Sequence, residues 1–282
     1  MLDKPPGITS AGAVAVVKRL LPRKTKIGHT GTLDPLASGL LVLVIGRATR
    51  LSRYVTDLGK SYTATAHFGA VSNTLDAEGE ISPVDADMPG EDVLHAALER
   101  FTGELFQIPP MASAVKVGGE RLYKAHRRGE TVERESRPVT IHSFTLTHLD
   151  ISSQTATFEV SCSSGTYVRT LISDFAAFLG TGAYLTALRR TSVGSMRLER
   201  AISIDELTEE TLSSHIIQTT EVVSHLPVMK VSEKVGRRVR SGRSLEASGL
   251  EGPYRVTEGD ELLAIYRDAN GEARPEVVLC GE

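Results

Sequence analysis

Apolar residues recur at helical spacing in three parts of the chain. The first follows Thr9 or Ser10, either of which can cap a helix that continues to about Leu21. The second covers residues 90 to 102, and the third is the run TLISDFAAFLG, which ends at Gly180. These patterns predict three helices within the first two thirds of the chain.

Other segments have the patterns of strands. The run LLVLVIG, from Leu40 to Gly46, is continuously apolar and predicts one buried strand, whereas Tyr62 to Phe68 alternates as a half-buried strand does. A short polar turn joins VTIHSFTLTHL to TATFEVSCS, which predicts a hairpin. Strands and helices do not alternate strictly, so we predict an α+β fold with a mixed, largely antiparallel sheet.

The pattern changes after the acidic segment SIDELTEETL. From about Pro227 the chain consists of short strand-like pieces separated by glycines. We therefore predict a larger domain over residues 1–225 and a small β-rich domain over residues 226–282.

Composition excludes several classes of protein. The 282 residues are 40% hydrophobic and 24% charged, as in ordinary soluble domains, and no apolar run approaches the roughly 18 residues of a membrane span. The first ten residues lack the apolar core of a secretion signal, which favours a cytoplasmic protein. Neither the two cysteines nor the eight histidines have the spacing of a metal site.

Charge is separated along the chain although the net charge is only −3. Residues 18 to 26 hold five lysines and arginines and no acid, and the run VKVGGERLYKAHRRG is also basic. Such patches suit a protein that meets a polyanion on one face. For each run taken alone, solvated surface charge is the simpler interpretation.

The segment GHTGTLDPLASGLL, from Gly28 to Leu41, presents a single acid in a glycine-rich loop. It is not a phosphate-binding loop, since no lysine follows its glycines and it leads into a strand-like run rather than a helix. Asp34 followed by Pro35 is also typical of a simple turn. Paired carboxylates, as glycosidases use, would have to come from the fold, because the nearest other acids are Asp3 and Asp57.

Six motifs occur in an order that resembles one known family. In the order of the chain they are LDKPPGITS, GHTGTLDPLASGLL, KSYTATAHFG, DAEGE, IPPMASAVKVGGERLYKAHRRG and CSSGTYVRTL. Over about residues 2 to 194 the chain is similar to bacterial tRNA pseudouridine synthases of the TruB type. That resemblance implies a cofactor-free isomerase of uridine 55 in the tRNA T-loop, followed by a C-terminal RNA-binding domain that is PUA-like.

The resemblance also implies the catalytic residues. Asp34 matches the family's nucleophile, and Arg169 matches the arginine that pairs with this carboxylate and keeps it ionised. Tyr62 matches the tyrosine that stacks on the uracil and serves as a general base. Taken alone, the segment around Arg169 has the pattern of a strand end with an exposed arginine.

Further residues are assigned to substrate binding. His29 matches a histidine that packs into the opened T-loop, because the target uridine must leave the base stack. Gly28, Gly31 and Gly39 are expected to let the RNA backbone approach closely. Residues 105–137 match an insertion that closes over the RNA. The remaining candidates are Lys4, Lys60, Asp76, Lys116, Tyr167, Leu188 and Arg190. Of these, Arg190 is a candidate for contact with a phosphate, and Lys60 is also typical of a solvated lysine.

These assignments predict a monomer that binds the T-stem-loop of tRNA without a metal, a membrane or an obligatory protein partner. Two alternatives stay open at this point. One is a non-catalytic tRNA-binding or tRNA-folding protein on the same scaffold, and the other is a guide-directed synthase that acts on another RNA. The presence of Asp34, Tyr62 and Arg169 favours the enzyme, and the lack of basic extensions favours one that acts alone.

Overall fold

The computed structural model describes residues 1–113, 115–122, 125 and 128–279, with the backbone alone at residues 116 and 121. In this part of the chain the largest sheet has nine strands, and most neighbours are antiparallel. Eight strands follow one path across the sheet: Ile202–Ser203, Leu2–Lys4, Ser38–Leu41, Ala183–Val193, Lys60–Phe68, Thr155–Cys162, Arg137–Asp150 and Gly103–Gln107. The predicted α+β fold with a mixed, largely antiparallel sheet is confirmed.

The remaining strands of this region are short. Met196–Arg197 lies off this path and pairs with the end of the strand Ala183–Val193. Three two-stranded ribbons complete the set: Ile27–His29 with Leu43–Ile45, Ala70–Ser72 with Ile81–Pro83, and Lys116–Val117 with Glu120–Arg121.

The helices follow the predicted pattern closely. The first is Ser10–Arg19, whose N-cap Thr9 accepts a hydrogen bond from the Gly12 amide at 2.9 Å. Residues 90–102 form the α-helix Glu91–Leu98 and a 3₁₀ turn, and the third helix is Val168–Phe178. In the described ranges outside residues 114–127, the other helices and 3₁₀ turns are short: Gly46–Leu51, Ser52–Thr56, Leu198–Arg200, Glu209–Leu212, Ser213–His215, Thr219–Val222 and Glu233–Arg240.

The core lies between the sheet and the helix Val168–Phe178. Phe175 of this helix packs edge-on against Phe144 and Phe158 of the hairpin strands, with ring centroids 5.2 and 5.8 Å apart. These three rings are buried. Aromatic packing of this kind adds about 0.5–1.5 kcal/mol per pair beyond the burial of area, so the helix that carries Arg169 is held firmly on the sheet.

The prediction of one strand over LLVLVIG is wrong. The run divides at Val42 into the strand Ser38–Leu41 in the large sheet and the strand Leu43–Ile45, which pairs with Ile27–His29. The backbone amide of Thr30 donates a hydrogen bond to the Val42 carbonyl at 3.1 Å. A continuous apolar run indicates burial on both sides, but it does not show that the chain changes sheets.

Gly39 is needed where this divided run meets the next strand. Its φ is +96°, and a Cβ there would overlap the backbone of Arg190 on the neighbouring strand. The glycine expected to let RNA backbone approach therefore lets protein backbone approach instead.

We expect Gly39→Ala to lower the free energy of unfolding by about 3 kcal/mol or more, measured by urea denaturation. Gly28→Ala is the matched control, because its Cβ would meet open space, and an equal loss in both variants would contradict the prediction.

The last part of the chain forms a separate five-stranded sheet. Its order is Val228–Lys230, Pro253–Glu258, Glu261–Ala269, Glu272–Val278 and Leu245–Glu246. Leu262 and Ile265 of this sheet pack with Leu51 and Tyr54, and the Tyr54 hydroxyl donates a hydrogen bond to Glu276 at 2.6 Å. Across the described residues, no helix has both the length and the apolar character needed to cross a lipid bilayer.

Candidate active site

A cavity of about 330 Å³ opens beside the centre of the large sheet. It lies where the loop after Ile27–His29, the start of the strand Lys60–Phe68 and the first turn of the helix Val168–Phe178 come together. Most of the predicted site residues line it: Asp34, Lys60, Tyr62, Tyr167, Arg169, Leu188 and Arg190. Residues that are distant in sequence thus line one cavity, whose wall has both polar and apolar side chains.

Asp34 stands on a loop that is anchored rather than free. Its carbonyl accepts a hydrogen bond from the Ala37 amide at 3.1 Å, which closes a turn. The segment therefore both forms the turn that Asp34-Pro35 predicts and presents the candidate acid. Ser10 Oγ accepts the Leu33 amide at 2.8 Å and donates to the Leu33 carbonyl at 3.0 Å. The motif LDKPPGITS therefore fixes the loop on which the acid is presented.

Lys4 belongs to this anchoring and does not line the cavity. Its buried ammonium donates to the carbonyls of Pro5 and Ile8, both at 2.8 Å. Burial lowers the pKa of Lys4 to about 8, against the attraction of Asp34. The position beneath the loop suits support of the loop backbone more than direct contact with a substrate.

Arg169 is the centre of the site. Its Nη2 lies 2.9 Å from Asp34 Oδ2, and its Nη1 lies 2.9 Å from Asp76 Oδ2. It also donates to the carbonyls of Thr74 and Ala112, both at 2.8 Å. The guanidinium is 4% exposed and sits in the first turn of a helix, so the interpretation of this segment as a strand end with an exposed arginine is wrong.

Asp76 supplies the second carboxylate that the loop sequence lacked. It is buried and accepts hydrogen bonds from Thr74 Oγ1 at 2.6 Å and the Glu78 amide at 3.1 Å. The structure places it behind Arg169, away from the cavity wall. One guanidinium thus bridges two carboxylates, of which only Asp34 faces the cavity.

The protonation of Asp34 depends on opposing influences. Burial raises the pKa of its carboxyl above the ordinary value, Arg169 works in the opposite direction, and Asp76 raises the pKa further. About a third of the side chain, 35%, remains exposed to the cavity. A carboxylate held in this way is reachable and has lost much of its hydration, which are the properties of a nucleophile or base.

Tyr62 and Lys60 lie on one face of their strand, and both are buried. Lys60 Nζ donates to the carbonyls of Thr56 at 2.8 Å and Leu58 at 2.6 Å, and burial lowers its pKa to about 8. The interpretation of Lys60 as a solvated lysine is wrong. Burial raises the pKa of the Tyr62 phenol, with Arg190 opposing, so the resting hydroxyl is neutral at pH 7.

Arg190 lines the cavity but is not a surface cation. Its guanidinium is 1% exposed and donates to the carbonyls of Leu40 at 2.7 Å and Gly31 at 3.1 Å. A contact between Arg190 and a phosphate on the protein surface therefore does not fit this burial. Leu188, two residues earlier, is buried and adds an apolar patch to the same wall.

His29 lies outside this cavity, on the strand Ile27–His29. It borders a neighbouring groove together with Lys18, Lys24 and Lys26, whose side chains are exposed. Burial lowers the pKa of His29, with Arg190 as the second cause, so the imidazole is neutral at pH 7. Its Nδ1 is buried and has no hydrogen-bond partner among the described residues.

The predicted insertion is described only in part. Gln107 pairs with Arg137, so the excursion covers residues 108–136 and its two ends meet in the sheet. The side chain of Lys116 and all of Lys124 and Arg127 lie outside the described residues. Arg128 is engaged by Glu120 at 2.8 Å and Glu130 at 2.7 Å.

Gln107 is a residue of this site that sequence reasoning missed. Its buried side-chain amide bonds to the backbone of Tyr167, two residues before Arg169. The only available signal was its position, one residue ahead of the motif that begins at Ile108.

Comparison with known proteins agrees with this architecture. Residues 18–168 match the model of the TruB family pseudouridylate synthase N-terminal domain, and residues 169–225 match the tRNA pseudouridylate synthase B C-terminal domain. A tRNA pseudouridine synthase B of Burkholderia lata is 44% identical, over 98% of this chain and 88% of the relative. That of Thermobifida fusca is 42% identical, over 100% and 98%.

Solved structures show the same fold. A chain from a Cbf5–Nop10–Gar1 complex superposes with a TM-score of 0.78 at 26% identity, covering 99% of this chain and 84% of that one. A chain from an archaeal box H/ACA sRNP Nop10–Cbf5 complex gives 0.74 at 25% identity, with coverage of 99% and 85%. With family models and full-length relatives in agreement, the chain belongs to the TruB family of pseudouridylate synthases.

Proposed function

We propose that this protein is a tRNA pseudouridine synthase that converts uridine 55 of the T-loop, with Asp34 as the catalytic nucleophile. The observation that carries the proposal is the pairing of Asp34, open to the cavity, with the buried Arg169 at 2.9 Å. The relatives of this chain that are named tRNA pseudouridine synthase B support tRNA as the substrate.

The reaction needs one reactive carboxylate. The bond between N1 of uracil and C1′ of ribose breaks, the uracil turns and C5 bonds to C1′. The proton on C5 leaves to solvent and N1 takes up a proton, so the product is an isomer of the substrate. Asp34 can attack the sugar, attack the base or trigger elimination from the sugar, and each route requires its ionised form. Arg169 favours that form, and Asp76 fixes the guanidinium from behind.

The cavity walls suit a flipped base. The ring of Tyr62 and the side chain of Leu188 offer apolar surface on which a uracil can pack, and Tyr167 borders the same space. The neutral phenol of Tyr62 fits stacking on the base, whereas the role of general base requires the phenolate, which the nearby Arg190 stabilises.

The groove beside His29 suits the opened RNA loop. We propose that the neutral imidazole fills space that the flipped uridine leaves, and that Lys18, Lys24 and Lys26 bind backbone phosphates. Among the described residues these lysines have no ion pair, unlike Arg128 and Arg189, which carboxylates engage. A salt-sensitive affinity for tRNA follows from this arrangement.

We further propose that residues 226–282 form a PUA-like RNA-binding domain and that the insertion closes over the T-loop. The enzyme would act as a monomer in the cytoplasm without an obligatory protein partner. Support for the separate domain comes from its own five-stranded sheet.

The test is tritium release from unmodified tRNA labelled at C5 of uridine. We expect one release per tRNA, and none beyond background when uridine 55 is replaced by cytidine. Release that persists from the cytidine 55 tRNA would disprove the site specificity. Tight tRNA binding without release would instead favour the non-catalytic tRNA-binding protein.

A further inference from the structure

Residues 107–112, the first part of the insertion and here called its stem, form hydrogen bonds with the segment that carries Arg169. Gln107 Oε1 accepts the Tyr167 amide at 3.0 Å, and Gln107 Nε2 donates to the Tyr167 carbonyl at 3.3 Å. The Gln107 side chain is 3% exposed. Both polar atoms of this side-chain amide thus form hydrogen bonds with the backbone of one residue, Tyr167. A hydrophobic side chain of the same size could form neither bond.

A second bond links the same stem to Arg169 itself. The Ala112 carbonyl accepts Arg169 Nη2 at 2.8 Å, and this is the nitrogen that lies 2.9 Å from Asp34. Pro109 and Pro110 stand between Gln107 and Ala112, and their fixed φ angles stiffen the connection. The stem therefore contacts the catalytic segment at both of its ends.

The stem is also joined to the returning part of the insertion. Arg134 donates to the Pro109 carbonyl at 2.9 Å and to the Val132 carbonyl at 3.1 Å, while Arg137 pairs with Gln107 in the sheet. Short hydrogen-bonded connections thus join the returning part of the insertion to Gln107 and Pro109.

We propose that Gln107 is a positioning residue that holds the start of the Arg169 helix, and through it the guanidinium, in register with Asp34 and the base of the insertion. The inference rests on the proposed function, because it concerns the same reaction. Gln107 acts through Tyr167 and Arg169 and does not touch the cavity itself. Misplacement of a catalytic group by about 1 Å costs on the order of 10²-fold in rate.

Two variants test the proposal in the full-length protein with tritiated tRNA. Gln107→Glu keeps the acceptor for the Tyr167 amide and replaces the donor with an oxygen that repels the Tyr167 carbonyl, whereas Gln107→Leu removes both bonds. Glu104→Gln is the control, since it exchanges the same groups on the same strand at an exposed residue. The readouts are the single-turnover rate, the Kd for tRNA and the dependence of the rate on pH.

We expect both Gln107 variants to lose about 10²-fold in single-turnover rate and to change Kd by less than about threefold. The acid limb of the rate should move to higher pH, because a displaced Arg169 lowers the pKa of Asp34 less effectively. A residue that only stabilised the fold would reduce the amount of active protein but leave the rate of the folded molecules and the acid limb unchanged.

The possible failures are distinguishable. Wild-type rates and pH profiles in both Gln107 variants, normalised to tRNA-binding sites, would overturn the role of Gln107 alone. An equal loss of rate and of tRNA affinity would also overturn it, because the residue would then serve binding. If the wild-type protein releases no tritium, the proposed function fails and this inference fails with it. Should Gln107→Leu not fold, the nearly isosteric Gln107→Glu decides.

Discussion

Replacement of Asp34 by asparagine should abolish tritium release while tRNA binding persists. The amide has nearly the same shape as the carboxylate but cannot act as a nucleophile, and loss of a nucleophile costs on the order of 10⁶-fold in enzymes where it has been removed. The measurement is single-turnover release from tRNA labelled at C5, with Kd determined on the same tRNA. We expect a rate at the detection limit and a Kd within about threefold of wild type.

The matched control for this change is Asp3→Asn. Asp3 is also ion-paired, at 2.6 Å to Arg189, but this pair is partly exposed and Asp3 does not line the cavity. The same chemical change there should leave the rate within about twofold, since exposed ion pairs contribute about 0–1 kcal/mol. Full release by Asp34→Asn would remove Asp34 from its proposed role, whatever the binding result.

Replacement of Arg169 by methionine should impair both catalysis and stability. The change leaves Asp34 and the buried Asp76 without their shared cation, and breaking a buried pair costs about 3–5 kcal/mol. We expect a loss of this size in the free energy of unfolding, measured by urea denaturation at pH 7. We also expect a fall of at least about 10²-fold in the rate of tritium release, because the carboxylate loses its orientation.

The pH dependence of this variant gives a separate test. In the proposed mechanism the reactive form of Asp34 is ionised, so the rate is expected to be full above its pKa and to be lost as the pH falls through it. Burial already raises this pKa, and Arg169 is the largest influence against burial. Its removal should move the acid limb to higher pH, and an unchanged limb would contradict the proposed pairing. Arg189→Met is the control, since that arginine is 44% exposed.

Part of the fold could be predicted because local patterns carry it. The helix after Thr9, the hairpin of residues 137–162 and the β-rich end of the chain each show a regular period or a turn signal. The run Leu40–Gly46 could not be divided from its sequence, since burial on both sides looks the same whether the chain stays in one sheet or changes sheets.

The environment of the charged residues was harder to predict. Lys60 and Arg190 have the sequence context of exposed cations, yet both are buried and bonded to backbone carbonyls. These carbonyls come from a helix end, a neighbouring strand and two loops, whose relative positions depend on the assembled sheet. A buried cation is tolerated only where such acceptors surround it, and no sequence pattern lists them.

The sequence by itself determined which residues are candidates for the chemistry. Six ordered motifs, through their resemblance to a known family, identify Asp34, Tyr62 and Arg169, and the hydrophobic patterns predict the fold class. Only the tertiary structure decided how they are arranged. It brought Asp34 and Asp76 onto one guanidinium, placed Arg169 in a helix and joined Gln107 to that helix. The physical reason is range, because helical and strand periods depend on neighbours a few residues away, whereas these contacts join residues 60 to 135 positions apart, from Gln107–Tyr167 to Asp34–Arg169.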